Sequence, residues 1–207
     1  MNRRSLLLSL AFLPALAAGP APAQNTLLPL SEISGYFNGF QTATGSFTQI
    51  NPDETLSTGR LMIHRPGRVR FEYDPPDPNL VLASAGSVHI FDARSNQGPT
   101  VYPLHRTPLN LILAADVDLT RARMVVDHFS DGPTTVVVAQ DPDHPEYGNI
   151  RLVFSAAPTE LRQWIVTDDM GRETTVILGD LELGTSLAPT LFSVDIEMQQ
   201  RGLVQGR

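Results

Sequence analysis

Between Gly59 and Tyr73 the chain alternates apolar and polar positions on both sides of one turn. Leu61 and Ile63 alternate with Arg60, Met62 and His64, and Val69, Phe71 and Tyr73 alternate with Arg68, Arg70 and Glu72. A period of two gives each strand an apolar and a more polar face. Arg65-Pro66-Gly67-Arg68 supplies the turn, read as type II, with proline presetting φ and glycine accepting a positive φ. Arg65 is then a cation at the tip of a hairpin. The same alternation predicts strands at 44–50, 56–64, 68–74, 79–84, 87–92, 99–103, 123–129, 134–139, 149–155, 162–167, 173–178 and 190–195. Asn51-Pro52-Asp53, Asp74-Pro75-Pro76-Asp77-Pro78 and Asn96-Gln97-Gly98-Pro99 separate them as turns.

Two stretches change period. Leu27 to Gln41 places Leu30, Ile33, Phe37 and Phe40 on one face of a predicted helix, weakened by Gly35 and Gly39. Residues 104–115 read as a short helical segment. Thr107 is its candidate N-cap, Pro108 takes its first position, and Leu109, Ile112 and Leu113 share a face. Regular short strands without alternating helices predict a mostly β, α+β chain. Its antiparallel sheet is strongly curved, an incomplete β-barrel with short helices.

The first residues do not fit this pattern. Arg3 and Arg4, the apolar run Leu6–Ala18 and the Ala21-Pro22-Ala23 site predict a secretory signal over 1–23. The mature part, 24–207, reads as one domain in the periplasm. The signal holds two of 15 basic and none of 22 acidic residues, leaving 13 against 22, a formal charge of −9. So acidic a surface suits neither nucleic acid nor anionic headgroups. With no cysteine there is no disulfide, thiolate site or lipid anchor of its own, and with no lysine no Schiff base or P-loop. His64, His89, His105, His128 and His144 show no ligand spacing, so no metal or cofactor is expected. Asp141–Glu146 and Asp168–Gly171 read as solvated turns, and no nucleophile elbow occurs.

What remains is apolar surface. The candidate interior residues are Phe47, Leu61, Ile63, Val69, Phe71, Leu80, Leu82, Ile90, Phe91, Val125, Phe129, Leu152, Phe154, Trp164, Val166 and Ile177. By pattern alone they either line a cavity or fill a dry core, and the helix at 104–115 is either a hinged lid or a fixed plug.

An ordered set of short segments resembles the LolA family of outer-membrane lipoprotein carriers. They are Gly45-Ser46-Phe47-Thr48-Gln49, Gly59–Tyr73, Leu80–Gly86, Val88–Asp92, Thr107–Leu113, the strand start Asp169–Thr174, and Leu191-Phe192 in a closing strand. Ser84-Ala85-Gly86 stands where the family often has Ser-Asp-Gly, and the family's tryptophans around the mouth are mostly absent. The resemblance implies a non-catalytic, monomeric chaperone that holds lipoprotein acyl chains under a helical lid. It implies loading from a LolCDE-type inner-membrane ABC complex and unloading to a LolB-type outer-membrane acceptor. It also implies that Arg65 latches the closed lid through backbone carbonyls. A lipid- or lipoprotein-binding envelope sensor and a lipid-modifying hydrolase on the same fold are the alternatives.

Overall fold

The computed structural model describes residues 27–76, 78–95, 97–107 and 109–203. The signal segment 1–23, Asp77, Asn96 and Pro108 lie outside them. Helix α1 spans Leu30–Asn38 and is followed by strands β1 (Thr42–Ile50), β2 (Leu56–His64), β3 (Arg68–Tyr73), β4 (Leu80–Ser84), β5 (Ser87–Phe91) and β6 (Thr100–Pro103). Helix α2 is Leu109–Leu113. Then come β7 (Val125–Asp131), β8 (Thr134–Gln140), β9 (Asn149–Ala156), β10 (Thr159–Thr167), β11 (Glu173–Leu178), the short β12 (Glu182–Leu183) and helix α3 (Val194–Gln200).

All the strands join one antiparallel sheet in the order β6-β5-β4-β3-β2-β1-β11-β10-β9-β8-β7, with β12 beside part of β1. The path is open: β6 and β7 are its two edges, so the barrel is incomplete. Successive hairpins explain the order, and the long-range joins are β1 to β11, with Phe47 opposite Leu178, and β1 to β12, with Ala43 opposite Leu183. Where β2 meets β1, Phe47 lies opposite Gly59. A side chain on Gly59 would strike the Glu72 carbonyl and the Phe47 ring, so only glycine lets that ring lie flat on β2.

The sheet buries apolar residues on both faces. On the concave face α1 and α2 cover Phe47, Leu61, Ile63, Val69, Phe71, Phe154 and Trp164. Ile33 and Phe37 of α1 are buried there, and the Phe37 ring meets Phe154 edge-on at 5.9 Å. Each such fully buried side chain contributes about 1.5–3 kcal/mol. On the convex face Met62, Leu80, Leu82 and Phe91 form a second, smaller core against Phe192, Leu191, Val194 and Met198.

The C-terminal expectation needs correcting. Residues 190–195 form no strand; Pro189–Phe192 is a 3-10 turn leading into α3. Ser193 caps α3 by accepting from the Ile196 N–H, with Asp195 and Glu197 in the first turn. Those N-terminal signals outweigh the short apolar run. The expected helix over 27–41 is also shorter, because Leu28 and Pro29 run extended. The Leu28 N–H donates to Thr135 Oγ1 at 2.9 Å, which ties this arm to β8.

Candidate functional site

The β2–β3 loop brings the ends of α1 and α2 to one point. His64 pairs with Arg68, leaving Arg65, Pro66 and Gly67 as a three-residue loop. The Arg65–Pro66 peptide is cis. Gly67 does take the positive φ, 72°, and its N–H donates to the Leu113 carbonyl at the end of α2 at 2.8 Å.

Arg65 is not an exposed tip cation. It is 5% exposed, folded back beneath the loop. Its Nε and Nη2 both donate to the Ala114 carbonyl, at 3.1 and 2.7 Å. Nη1 donates to the carbonyls of Phe37 and Phe40, the latter at 3.1 Å, and Nη2 also reaches Asn38 Oδ1 at 3.2 Å. The fixed fork of five donors is therefore shared between the end of α1 and the chain just after α2. Burial lowers the Arg65 pKa, and Asp116 opposes that shift.

Sequence reasoning missed the other half of this junction. The Asn38 side chain clasps Val117 from both sides: Nδ2 donates to its carbonyl and Oδ1 accepts from its N–H, each at 2.9 Å. One turn back on α1, Ser34 Oγ accepts from the Leu119 N–H at 3.0 Å. Val117 and Leu119 are themselves buried. Asn and Ser near a helix end are too common to mark such a clasp from sequence. Within α2, Leu111, Ile112 and Leu113 are buried and Leu109 is half-buried. The Thr107 hydroxyl donates to the Leu104 carbonyl at 2.8 Å.

Under Leu109 lies a cavity of about 250 Å³ at the end of the sheet opposite Arg65. Its walls are Gln49, Phe71, Tyr73, Val81, Leu109, Ile150, Trp164, Val166, Thr174 and Val176. Of the expected interior, Phe71, Trp164 and Val166 line it. Phe47, Leu61, Ile63, Val69, Leu152 and Phe154 are packed core beneath the helices. Ile90 is on the concave face but 38% exposed near the β6 edge.

Five expectations fall on the wrong face. Leu80, Leu82 and Phe91 belong to the convex core. Phe129, opposite Val136, and Ile177, opposite Gln163 and Thr48, also face outward, 39% and 40% exposed. A strand covered on both sides is apolar at successive positions, so alternation cannot say which residue points inward. Inside, Tyr73 donates its hydroxyl to Gln49 Oε1 at 2.7 Å, and burial pushes its pKa up to about 12. At the β10–β11 turn the organising group is Asp168, whose carboxylate accepts from the N–H groups of Met170 and Arg172, each at 2.9 Å.

A half-barrel with a helix-capped apolar interior is compared most directly at the level of the family. The family profile for the outer membrane lipoprotein carrier protein LolA matches residues 38–195. The chain belongs to the LolA family. Among curated LolA relatives, the outer-membrane lipoprotein carrier protein of Coxiella burnetii is 24% identical over 200 residues, covering 93% of this chain and 94% of that one. The Chromobacterium violaceum carrier is 25% identical over 190 residues, covering 86% and 88%. Among solved structures, a LolA superfamily protein from Nitrosomonas europaea aligns with a TM-score of 0.42 at 11% identity, over 82% of this chain and 99% of that one.

Proposed function

We propose that this protein is a periplasmic chaperone that carries lipoproteins towards the outer membrane, shielding their acyl chains in the concave face of its sheet. The observation that carries the reading is the cavity beneath Leu109. It is mainly apolar, Leu109 of the short helix α2 lies in its wall, and that helix is held by its buried Leu111, Ile112 and Leu113 together with polar bonds at Arg65 and Gly67. Family membership supports the same cargo.

The energetics favour a carrier over free diffusion. A single acyl chain of about 15 methylenes costs about 12 kcal/mol to expose to water. The 250 Å³ cavity is smaller than the roughly 300–1,000 Å³ of ordinary small-ligand pockets, so holding a whole acyl chain needs it to widen. Loading requires α1 and α2 to lift off the sheet, exposing Phe47, Leu61 and Phe154 as acyl-contact surface. Arg65 sits where that motion must pass, because it is bonded to both helices' ends. Charge-assisted bonds worth about 1.5–3 kcal/mol each make a closed state that cargo can still open. The cavity walls among the described residues hold no histidine, serine or acidic side chain, which favours shielding over hydrolysis. We place the protein, as a monomer, between a LolCDE-type inner-membrane complex and a LolB-type acceptor, with 1–23 removed on export and 24–207 acting as one carrier domain.

The test is saturable binding of a fluorescent fatty-acyl probe, with displacement by a purified triacylated lipoprotein. Saturable, displaceable binding is the expected result. No binding by protein of intact circular dichroism would overturn the reading.

A further inference from the structure

The β1–β2 turn carries a hydrogen-bond chain whose direction is set from outside the cavity. Asp53, as a carboxylate, can only accept. The Thr55 hydroxyl gives its proton to Asp53 Oδ1 at 2.6 Å. Thr55 Oγ1 is therefore an acceptor, and Asn51 Nδ2 donates to it at 3.0 Å and to Ser57 Oγ at 3.1 Å. With its nitrogen so committed, Asn51 presents Oδ1, which accepts from Gln49 Nε2 at 2.6 Å. Gln49 in turn presents Oε1 to the Tyr73 hydroxyl at 2.7 Å. Each step fixes the next, so the orientation of the Gln49 amide follows from a surface carboxylate four residues away.

The consequence lies inside the cavity. Gln49 and Tyr73 are among its walls, which are otherwise mainly apolar, with Phe71, Val81, Leu109 and Trp164. Gln49 Nε2 has two N–H groups and uses one on Asn51; no partner for the other occurs among the described residues. A donor held on an apolar wall gains most from an acceptor that cannot keep its water. An acyl chain brings one such group, the carbonyl of its ester or amide. An alkyl chain brings none.

We propose that Gln49 Nε2 docks the head-group carbonyl of an acyl chain, so that the cavity selects acyl over alkyl chains. Asp53, Thr55 and Asn51 act as positioning residues that hold the amide donor-inward. The proposal rests on the carrier reading above and adds which part of the cargo is recognised. It also sets polarity: Gln49, Tyr73 and Thr174 stand at the strand ends near the Asn51–Thr55 turn, so the carbonyl sits at that mouth and the tail runs towards α2.

The experiment compares two probes, a palmitoyl-ester lipopeptide and its hexadecyl-ether analogue, on full mature protein. Wild type should bind the ester roughly three- to tenfold more tightly, the yield of one net hydrogen bond. Gln49→Leu and Gln49→Glu should both bring that ratio near one. Asp53→Asn, far from the probe, should lower the ratio part of the way, since an amide can donate as well as accept. An unchanged ratio in both Gln49 variants, with thermal unfolding intact, overturns the proposal and leaves the carrier reading standing. If wild type binds neither probe, the carrier reading fails and this proposal falls with it.

Discussion

Arg65 grips the Ala114 carbonyl with two nitrogens of one guanidinium, Nε at 3.1 Å and Nη2 at 2.7 Å. The same side chain holds the Phe37 and Phe40 carbonyls. A turn residue thereby becomes the common anchor of α1, the lid and the β2–β3 loop. An exposed cation there would have been dispensable to the fold; a buried one with these partners is not.

Arg65→Leu should therefore lower stability by about 2–4 kcal/mol, because the carbonyls it serves lose their donor while still partly buried. Arg65→Lys should recover less than half, since a single ammonium cannot reproduce the fork. Arg68→Leu is the matched control: Arg68 lies over the Phe192 ring at 5.9 Å and its Nε donates to the His64 carbonyl at 3.4 Å. Urea unfolding of the three variants measures this. Equal stability of Arg65→Leu and wild type would reduce Arg65 to a loop cation. In those Arg65→Leu molecules that remain folded, acyl-probe entry should be faster and transfer to acceptor membranes slower.

Asn38→Ala should free the strap after α2 without unfolding the sheet. The Asn38 side chain makes both hydrogen bonds that seat Val117. Its loss should cost about 1–2 kcal/mol and appear first as faster amide exchange over residues 114–119. Exchange rates that rise equally in β9 and β10 would show a global effect instead.

The C-terminal helix is held by a buried ionic cluster. Arg70 Nη2 bonds Glu197 at 3.1 Å, with side chains 12% and 8% exposed, and Arg201 Nε bonds the same carboxylate at 2.8 Å. Glu197→Ala should cost about 3–5 kcal/mol, because it leaves Arg70 partly unpaired in a buried site. The paired replacement Arg70→Met with Glu197→Leu should cost much less. Acyl-probe binding should survive in both, since this cluster serves the convex face. Chemical denaturation with probe titration tests both statements.

Stability should fall as pH drops from 7.5 to 5. Burial lowers the His64 pKa below its ordinary 6.5, helped by the Arg68 charge, and burial does the same at His89. The Nδ1 atoms of both rings are buried without a partner. The unfolded chain then binds protons at a higher pH than the folded one. The stabilisation is full above about pH 6.5 and is lost as pH falls through the depressed folded-state values. Asp168 and Asp53 are also lowered, from 3.8, by hydrogen bonds, and so act only in a more acidic window. Replacing both His64 and His89 with glutamine should flatten the profile between pH 7.5 and 5. An unchanged slope in that double variant would assign the effect to other groups.

The strands were legible because each is a short local pattern bounded by proline, glycine or asparagine. Strands β2, β9 and β11, for example, fall within one residue of their expected limits. The antiparallel curved sheet and the short helix at Leu109–Leu113 were legible too. Local pattern could not say that Leu82 faces the convex core or that Phe129 faces outward. Both depend on a second layer, present over β2–β5 and absent over β7–β9, which α3 supplies from far along the chain. Nor could it say that Arg65 turns inward, since that needs the ends of α1 and of the lid to converge on one loop. Sequence determined which residues alternate and where the chain bends. Tertiary structure decided which side of each strand meets a partner, because burial is a property of what packs opposite and not of the strand itself.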